Sequence, residues 1–289
     1  MKYAISNWIY GEEPIEVTFA RLRRFGYDGV ELTGEPDRYD AGEVRRLAGD
    51  FGLSFTSIAG MYPWPTDSRD LANPDPAVRG RAVQYLRRCV DFALGVGAPL
   101  VIVVPSAVSK VAPVGFADDP QAWPVAVHRE WDYAVEAVRA AGEYAGRHGV
   151  MLAVEPINRY ETFLVTTAAA GLRFVRDVEL NSVKIHLDTF HMNIEEADPA
   201  EAVRRVGALL INFHVADSNR EAVGQGHTDF RAILQALKDI GYTGALVLEP
   251  LPPVPNPYVA ARLRTQADVH DRYAELSIRR LRDLEQALA

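Results

Sequence analysis

Along the chain, short runs of β-branched and other apolar residues alternate with longer segments whose apolar positions recur at helical spacing. The short runs are Tyr3–Asn7, Gly29–Leu32, Ser54–Ile58, Leu100–Val104, Val150–Glu155, Val183–Asp188, Leu210–Val215 and Ala245–Glu249. Helical segments fall near 14–25, 41–51, 76–95, 126–148, 167–178, 199–207 and 229–240, with a last one near 258–287. Apolar strands that alternate with amphipathic helices predict a parallel sheet. Eight such repeats predict closure into a (β/α)8 TIM barrel, a single α/β domain over residues 1–289 with its working face at the C-terminal strand ends.

Local punctuation agrees with this reading. Phe25-Gly26-Tyr27-Asp28-Gly29, His148-Gly149 and Ile240-Gly241-Tyr242-Thr243-Gly244 each read as a helix end turning into a strand. Two long connections, about 59–75 and 105–125, follow the third and fourth strands and read as walls or lids of a site. A pair of doubly wound halves would want a glycine-rich phosphate loop, and the sequence has none.

Composition narrows the function. The 289 residues are 48% hydrophobic and 24% charged, with a net charge of −8, which argues against nucleic acid or an anionic membrane as partner. The single cysteine, Cys89, excludes an internal disulfide and a multi-cysteine zinc site, and fits a reducing, cytoplasmic location. Residues 92–109 carry no charge, but Gly95, Gly97, Pro99 and Pro105 break them into a helix end and a strand rather than a membrane span. The N-terminal residues lack the apolar core of a signal peptide, and Glu12 and Glu13 follow closely.

The chemistry lies in the last four strands. Glu155, Asp188, His214 and Glu249 each fall at a strand's C-terminal end. One acid at such a place is ordinary. Three carboxylates and an imidazole brought to one mouth repel and desolvate one another unless a cation joins them. The set is hard and oxygen-rich, which suits Mn²⁺ or Mg²⁺, tolerates Co²⁺, and favours Zn²⁺ less.

Around these residues, Glu155-Pro156-Ile157-Asn158-Arg159-Tyr160-Glu161, Leu187-Asp188-Thr189-Phe190-His191-Met192-Asn193-Ile194-Glu195-Glu196 and His214-Val215-Ala216-Asp217-Ser218-Asn219-Arg220 resemble the ketose 3-epimerases. These are the D-tagatose/D-psicose 3-epimerase group of the xylose-isomerase-like barrels. The resemblance implies Glu155, Asp188, His214 and Glu249 as metal ligands, Glu155 and Glu249 also as the acid/base pair, and Glu161, His191 and Arg220 as substrate contacts. A divalent ion on O2 and O3 of a ketose would acidify the C3 proton and stabilise a cis-enediolate. Carboxylates on opposite faces would remove and return the proton with inversion. The resemblance also implies a homodimer or homotetramer.

Alternatives on the same scaffold are a hydroxypyruvate isomerase-like enzyme and an inosose dehydratase-like lyase. Glu161 and Arg220 with the full Asp188–Asn193 run favour the epimerase. A repair endonuclease would want more histidines and a basic face. A binding subunit without catalysis would not need the full ligand set and both glutamates. The segment Pro105–Phe116 matches no motif of the group, and Pro250-Leu251-Pro252 follows Glu249 where an aromatic is more familiar. The particular ketose or keto-acid, its C4 and C5 configuration and its phosphorylation therefore stay open.

Other residues read more plainly. Trp8, Tyr10, Tyr62, Trp64 and Trp123 are candidates for a pocket wall or for loop packing. Lys110 reads as an exposed loop lysine rather than a partner for an anionic substrate group, and His227 as a cap before the seventh helix. Glu195 and Glu196 suit a helix N-terminus. Cys89 reads as core, and His186 shares the side of Asp188 without an assigned role.

Overall fold

The computed structural model describes residues 1–60, 66–115, 121–254 and 267–288. Strands β1 (Lys2–Ser6), β2 (Gly29–Thr33), β3 (Ser54–Ala59), β4 (Leu100–Val103), β5 (Met151–Val154), β6 (Val183–Asp188), β7 (Leu210–Val215) and β8 (Ala245–Leu248) pair in sequence order and close into a barrel. Every pairing is parallel, including that of β1 with β8. The helices are α1 (Ile15–Phe25), α2 (Ala41–Asp50), α3 (Pro76–Val96), α4 (Ala122–Arg147), α5 (Ala168–Val178), α6 (Thr189–Glu195), α7 (Pro199–Val206), α8 (Phe230–Asp239) and α9 (Ala267–Ala287). The (β/α)8 barrel expected from the apolar pattern is present. Residues 258–266 of the last expected helix, together with Tyr62 and Trp64, lie outside the described residues.

Helix starts follow from short polar side chains. Asp40, Asp75, Thr167, Asp198 and Asp229 each accept a hydrogen bond from a backbone N–H of the first helical turn. Asp229 thus fills the capping role expected of His227, whose Nδ1 instead meets Ser218 Oγ at 3.0 Å. At helix ends, Gly26, Gly149 and Gly241 take the positive φ that their place before a strand anticipates.

The main core lies between the sheet and the helices and includes Cys89, which is fully buried. The alternate residues of the strands face inward, where Ala4, Ala245 and Val247 form one small cluster and Leu100, Ile102 and Ala153 another. Pairing slips by one residue at two places, between Val30 and Glu31 opposite β3 and between Ile185 and His186 opposite β7. Such bulges re-aim side chains. Here each one immediately precedes a fully buried polar residue of the barrel interior, Glu31 or His186. Among the described residues, no helix is long and apolar enough to cross a membrane.

Candidate active site

Asp188 ends β6 and His214 lies opposite it in the register of β7. Glu155 and Glu249 stand one residue beyond β5 and β8. Their amides still bond back to the neighbouring strands, Glu155 N–H to Val103 O and Glu249 N–H to Val215 O, both at 3.0 Å. The barrel therefore fixes all four backbones, and each of these residues is no more than 3% exposed.

The side chains converge on one imidazole. His214 Nδ1 lies 3.2 Å from Glu249 Oε2 and 3.7 Å from Glu155 Oε1. It is buried, and no hydrogen bond of acceptable geometry reaches it. A buried ring nitrogen left bare among carboxylate oxygens is costly in an apolar setting and is what a cation would satisfy. The donor set thus fits a divalent ion, with His214 Nδ1 and the carboxylates of Glu155, Asp188 and Glu249 as the atoms that could hold it. Among the described residues, three overlapping groups have metal-competent atoms close together: Glu155 with His186 and His214, Glu31 with His214 and Glu249, and Glu155 with Asp188 and His191.

Electrostatics follow the same contacts. Burial alone would raise the Glu155 carboxyl, but His186 and His214 outweigh it and hold it well below the usual carboxylate range. Asp188 is also lowered, burial being overcome by Arg220 and then by His191 and His214. Burial disfavours a charged His214, yet Glu249 and Glu31 push it well above the ordinary histidine value.

Arg220 is brought to the same place. Its Nη1 donates to Asp188 Oδ2 at 2.6 Å and its Nη2 to Glu249 Oε2 at 2.7 Å, with Phe190 beneath the guanidinium at 4.8 Å. The residue takes φ 64°, a left-handed conformation that costs a non-glycine residue roughly 1–2 kcal/mol. The loop around it is organised by Asp217, whose carboxylate accepts from the N–H groups of Ser218, Gly224 and Thr228 at 2.7–3.1 Å.

His191 lies in α6, a helix absent from the expected elements, whose N-cap is Asp188. The apolar pattern gave no sign of it because only Thr189, His191 and Met192 are buried within its seven residues. The Asn158 backbone N–H donates to His191 Nδ1 at 3.2 Å, so in the neutral ring the proton is on Nε2. That nitrogen points at the carboxylates, 3.7 Å from Asp188 Oδ2 and 3.9 Å from Glu155 Oε1. Asn158 Nδ2 also reaches Glu161 Oε1 at 2.9 Å and His191 Nδ1 at 2.8 Å, tying together two of the expected substrate contacts.

Several residues depart from expectation. Lys110 is not exposed: its ammonium is held between the buried carboxylates of Asp70, at 2.7 Å, and Glu130. Those ion pairs join the connections after β3 and β4 to α4, and Ser109 N–H to Glu161 O at 2.7 Å joins them to the connection after β5. Trp8 is buried, and its indole N–H donates to Glu249 Oε1. Tyr10 packs edge-on against His270 and under Arg21, which is loop packing. Trp123 meets Phe163 edge-on. Glu196 does serve a helix N-terminus, accepting from Ala168 N–H of α5 at 2.7 Å, whereas Glu195 pairs with Arg159. Glu31 escaped the sequence reading because its partners lie far along the chain, while Asn158 and Asp217 stood in the quoted runs without an assigned role. Strand β2 offers no cue beyond one acid in an apolar run, Gly29-Val30-Glu31-Leu32.

Residues 19–267 match the family model of the xylose isomerase-like TIM barrel. The chain is 33% identical to the D-psicose 3-epimerase of Agrobacterium fabrum over 236 residues, covering 80% of this chain and 77% of that one. It is also 33% identical to the L-ribulose 3-epimerase of Mesorhizobium japonicum, over 82% of this chain and 76% of the relative. A crystal structure of D-psicose 3-epimerase with D-tagatose, from Clostridium cellulolyticum H10, superposes with a TM-score of 0.84 at 26% identity, covering 98% of this chain and 99% of that chain.

Proposed function

The chain belongs to the ketose 3-epimerase group of the xylose isomerase-like TIM-barrel family, and from that premise we propose that it inverts C3 of a ketose or a close keto-sugar acid. The observation that carries this reading is the convergence of Glu155 and Glu249 on the bare Nδ1 of His214 at the C-terminal mouth, with Asp188 beside Glu155. A divalent ion there, Mn²⁺ by the hardness of the donor set, would acidify the proton beside the substrate carbonyl.

The chain's own groups supply the rest. Glu155 and Glu249 reach the mouth from β5 and β8, on either side of His214, so one carboxylate removes the C3 proton and the other returns one to the opposite face. Arg220 already holds Asp188 and Glu249 in place, and it contacts the O1–O2 end of the sugar together with Glu161 and the Nε2–H of His191. Asn158 keeps Glu161 and His191 at a fixed separation. Burial of the whole cluster strengthens each of these contacts.

The test is an NMR assay of the manganese-loaded protein against a panel of ketoses in deuterated water. Deuterium at C3 of both epimers, with conversion to the second epimer lost in Glu155→Gln and in Glu249→Gln, is the expected result. Deuterium at C1 with aldose formation would instead make the enzyme an aldose–ketose isomerase. No exchange in any sugar, with metal bound, would redirect the search to keto-acid and cyclitol substrates.

A further inference from the structure

We propose that Glu31, on β2, is a positioning residue that fixes which nitrogen His214 presents to the mouth. The proposal rests on the reading of His214 as a metal ligand. Glu31 is fully buried in the barrel interior, on the opposite side of His214 from the other three carboxylates' shared focus. Its two oxygens lie 3.1 Å from His214 Nε2. Ser6 Oγ donates to Oε1 at 2.7 Å, Ser57 Oγ to Oε2 at 2.5 Å, and Asn212 Nδ2 to Oε2 at 3.4 Å.

A carboxylate met by four donors from three strands is committed as an acceptor, and it has no side left to turn toward the mouth. Its pairing with His214 therefore keeps a proton on Nε2, so that Nδ1 is the nitrogen whose proton a cation would displace. An imidazole bonded this way through its far nitrogen is held in both tautomer and orientation. His186 completes the support. Its ring stands edge-on to His214 at 4.0 Å and 75°, which blocks rotation of the imidazole within the interior. The bulge at Val30/Glu31 brings Glu31 opposite Ser57, from which it takes one of its donors.

Two variants and one spectrum test the role. Glu31→Gln keeps an acceptor oxygen for Nε2–H, whereas Glu31→Leu keeps comparable volume and offers none. Mn²⁺ affinity, measured on the full-length metal-free chains by calorimetry, is expected to fall about 10–100-fold in Glu31→Leu and only a few-fold in Glu31→Gln. Circular dichroism and thermal unfolding establish that both variants are folded. Long-range ¹H–¹⁵N spectra of the unsubstituted chain loaded with Zn²⁺, as a diamagnetic ion, are expected to show His214 protonated at Nε2. That measurement stands even if Glu31→Leu fails to fold. Equal Mn²⁺ affinity in a folded Glu31→Leu, or a His214 protonated at Nδ1 when loaded, would overturn the role of Glu31 alone. Failure of the unsubstituted chain to bind either ion would overturn the metal reading beneath it.

Discussion

From β5 to β8, the residues aimed into the mouth are Glu155, Asp188, His214 and Glu249, one from each strand end. From β1 to β4, the inward polar residues include Ser6, Glu31 and Ser57, and Trp8 follows in the turn after β1. The first group could act directly on a metal and a sugar. The second meets the first directly: Glu31 contacts His214, and Trp8 donates to Glu249. On the proposed function, one half of the barrel would carry the chemistry and the other half would hold it still. The symmetry of the fold conceals this division, since all eight strands present equivalent ends to the same face.

The sharpest way to break the comparison is to substitute across it. Glu155→Gln and Glu249→Gln are each expected to lower kcat by about 10²–10⁴-fold, the usual cost of removing a general acid or base. Ser57→Ala, which removes one of the donors to Glu31, is expected to cost no more than about tenfold, a single hydrogen bond to a charged group being worth about 1.5 kcal/mol at the low end of its range. Steady-state rates on the same ketose, with Mn²⁺ saturating, decide it. Comparable losses on the two sides would dissolve the distinction.

The next expected effect is on stability and falls in the loops after β3 and β4. Lys110→Met leaves Asp70 and Glu130 buried without their cation, and breaking a buried ion pair costs about 3–5 kcal/mol. Denaturant titration at constant m-value measures this. A loss below about 1 kcal/mol, the ordinary worth of an exposed pair, would mean that the triad is not held as described.

The division also explains what could be read from the sequence. In β5–β8 the acids terminate apolar runs, and the same runs define the strands, so Glu155, Asp188, His214 and Glu249 were placed by register alone. The barrel was legible for the same reason. Glu31 is separated from His214 by 183 positions, and only closure of the sheet brings them together. Lys110 appeared to be a solvated loop lysine because nothing local announces Asp70 or Glu130, 40 and 20 residues away. Helix α6 was missed since it is short and its motif reads equally well as a loop.

A third prediction concerns the seam where α9 packs on α1 and α8. Burial, reinforced by the nearby Arg21, lowers the pKa of His270 from 6.5 to about 4. Between those values the unfolded chain binds a proton that the folded chain does not, so stability is complete above the unfolded pKa and falls as pH drops through the window. The full span amounts to about 3 kcal/mol. Unfolding free energies measured from pH 7 to pH 4 should decline, and His270→Phe should flatten that part of the slope. An unchanged slope in the variant would assign the acid sensitivity to other groups.

The smallest expected effect tests the link between the halves at its narrowest. Trp8→Phe keeps most of the buried ring and removes the indole N–H that Glu249 Oε1 accepts, while Arg220 continues to hold Oε2. Loss of one hydrogen bond to a charged group is expected to cost about 1.5 kcal/mol, roughly a tenfold decrease in kcat with KM little changed. The informative readout is the fate of the proton. With one carboxylate on each face of the sugar, an intermediate formed by Glu155 either returns through Glu155 or goes forward through Glu249. Loosening Glu249 should shift that partition toward return, so that deuterium enters recovered substrate faster relative to product than it does with Trp8 intact. An equal slowing of both would place Trp8 in general packing of the mouth. It would also remove the first half of the barrel from any direct hold on the acid/base pair, leaving its influence to Glu31 and His214.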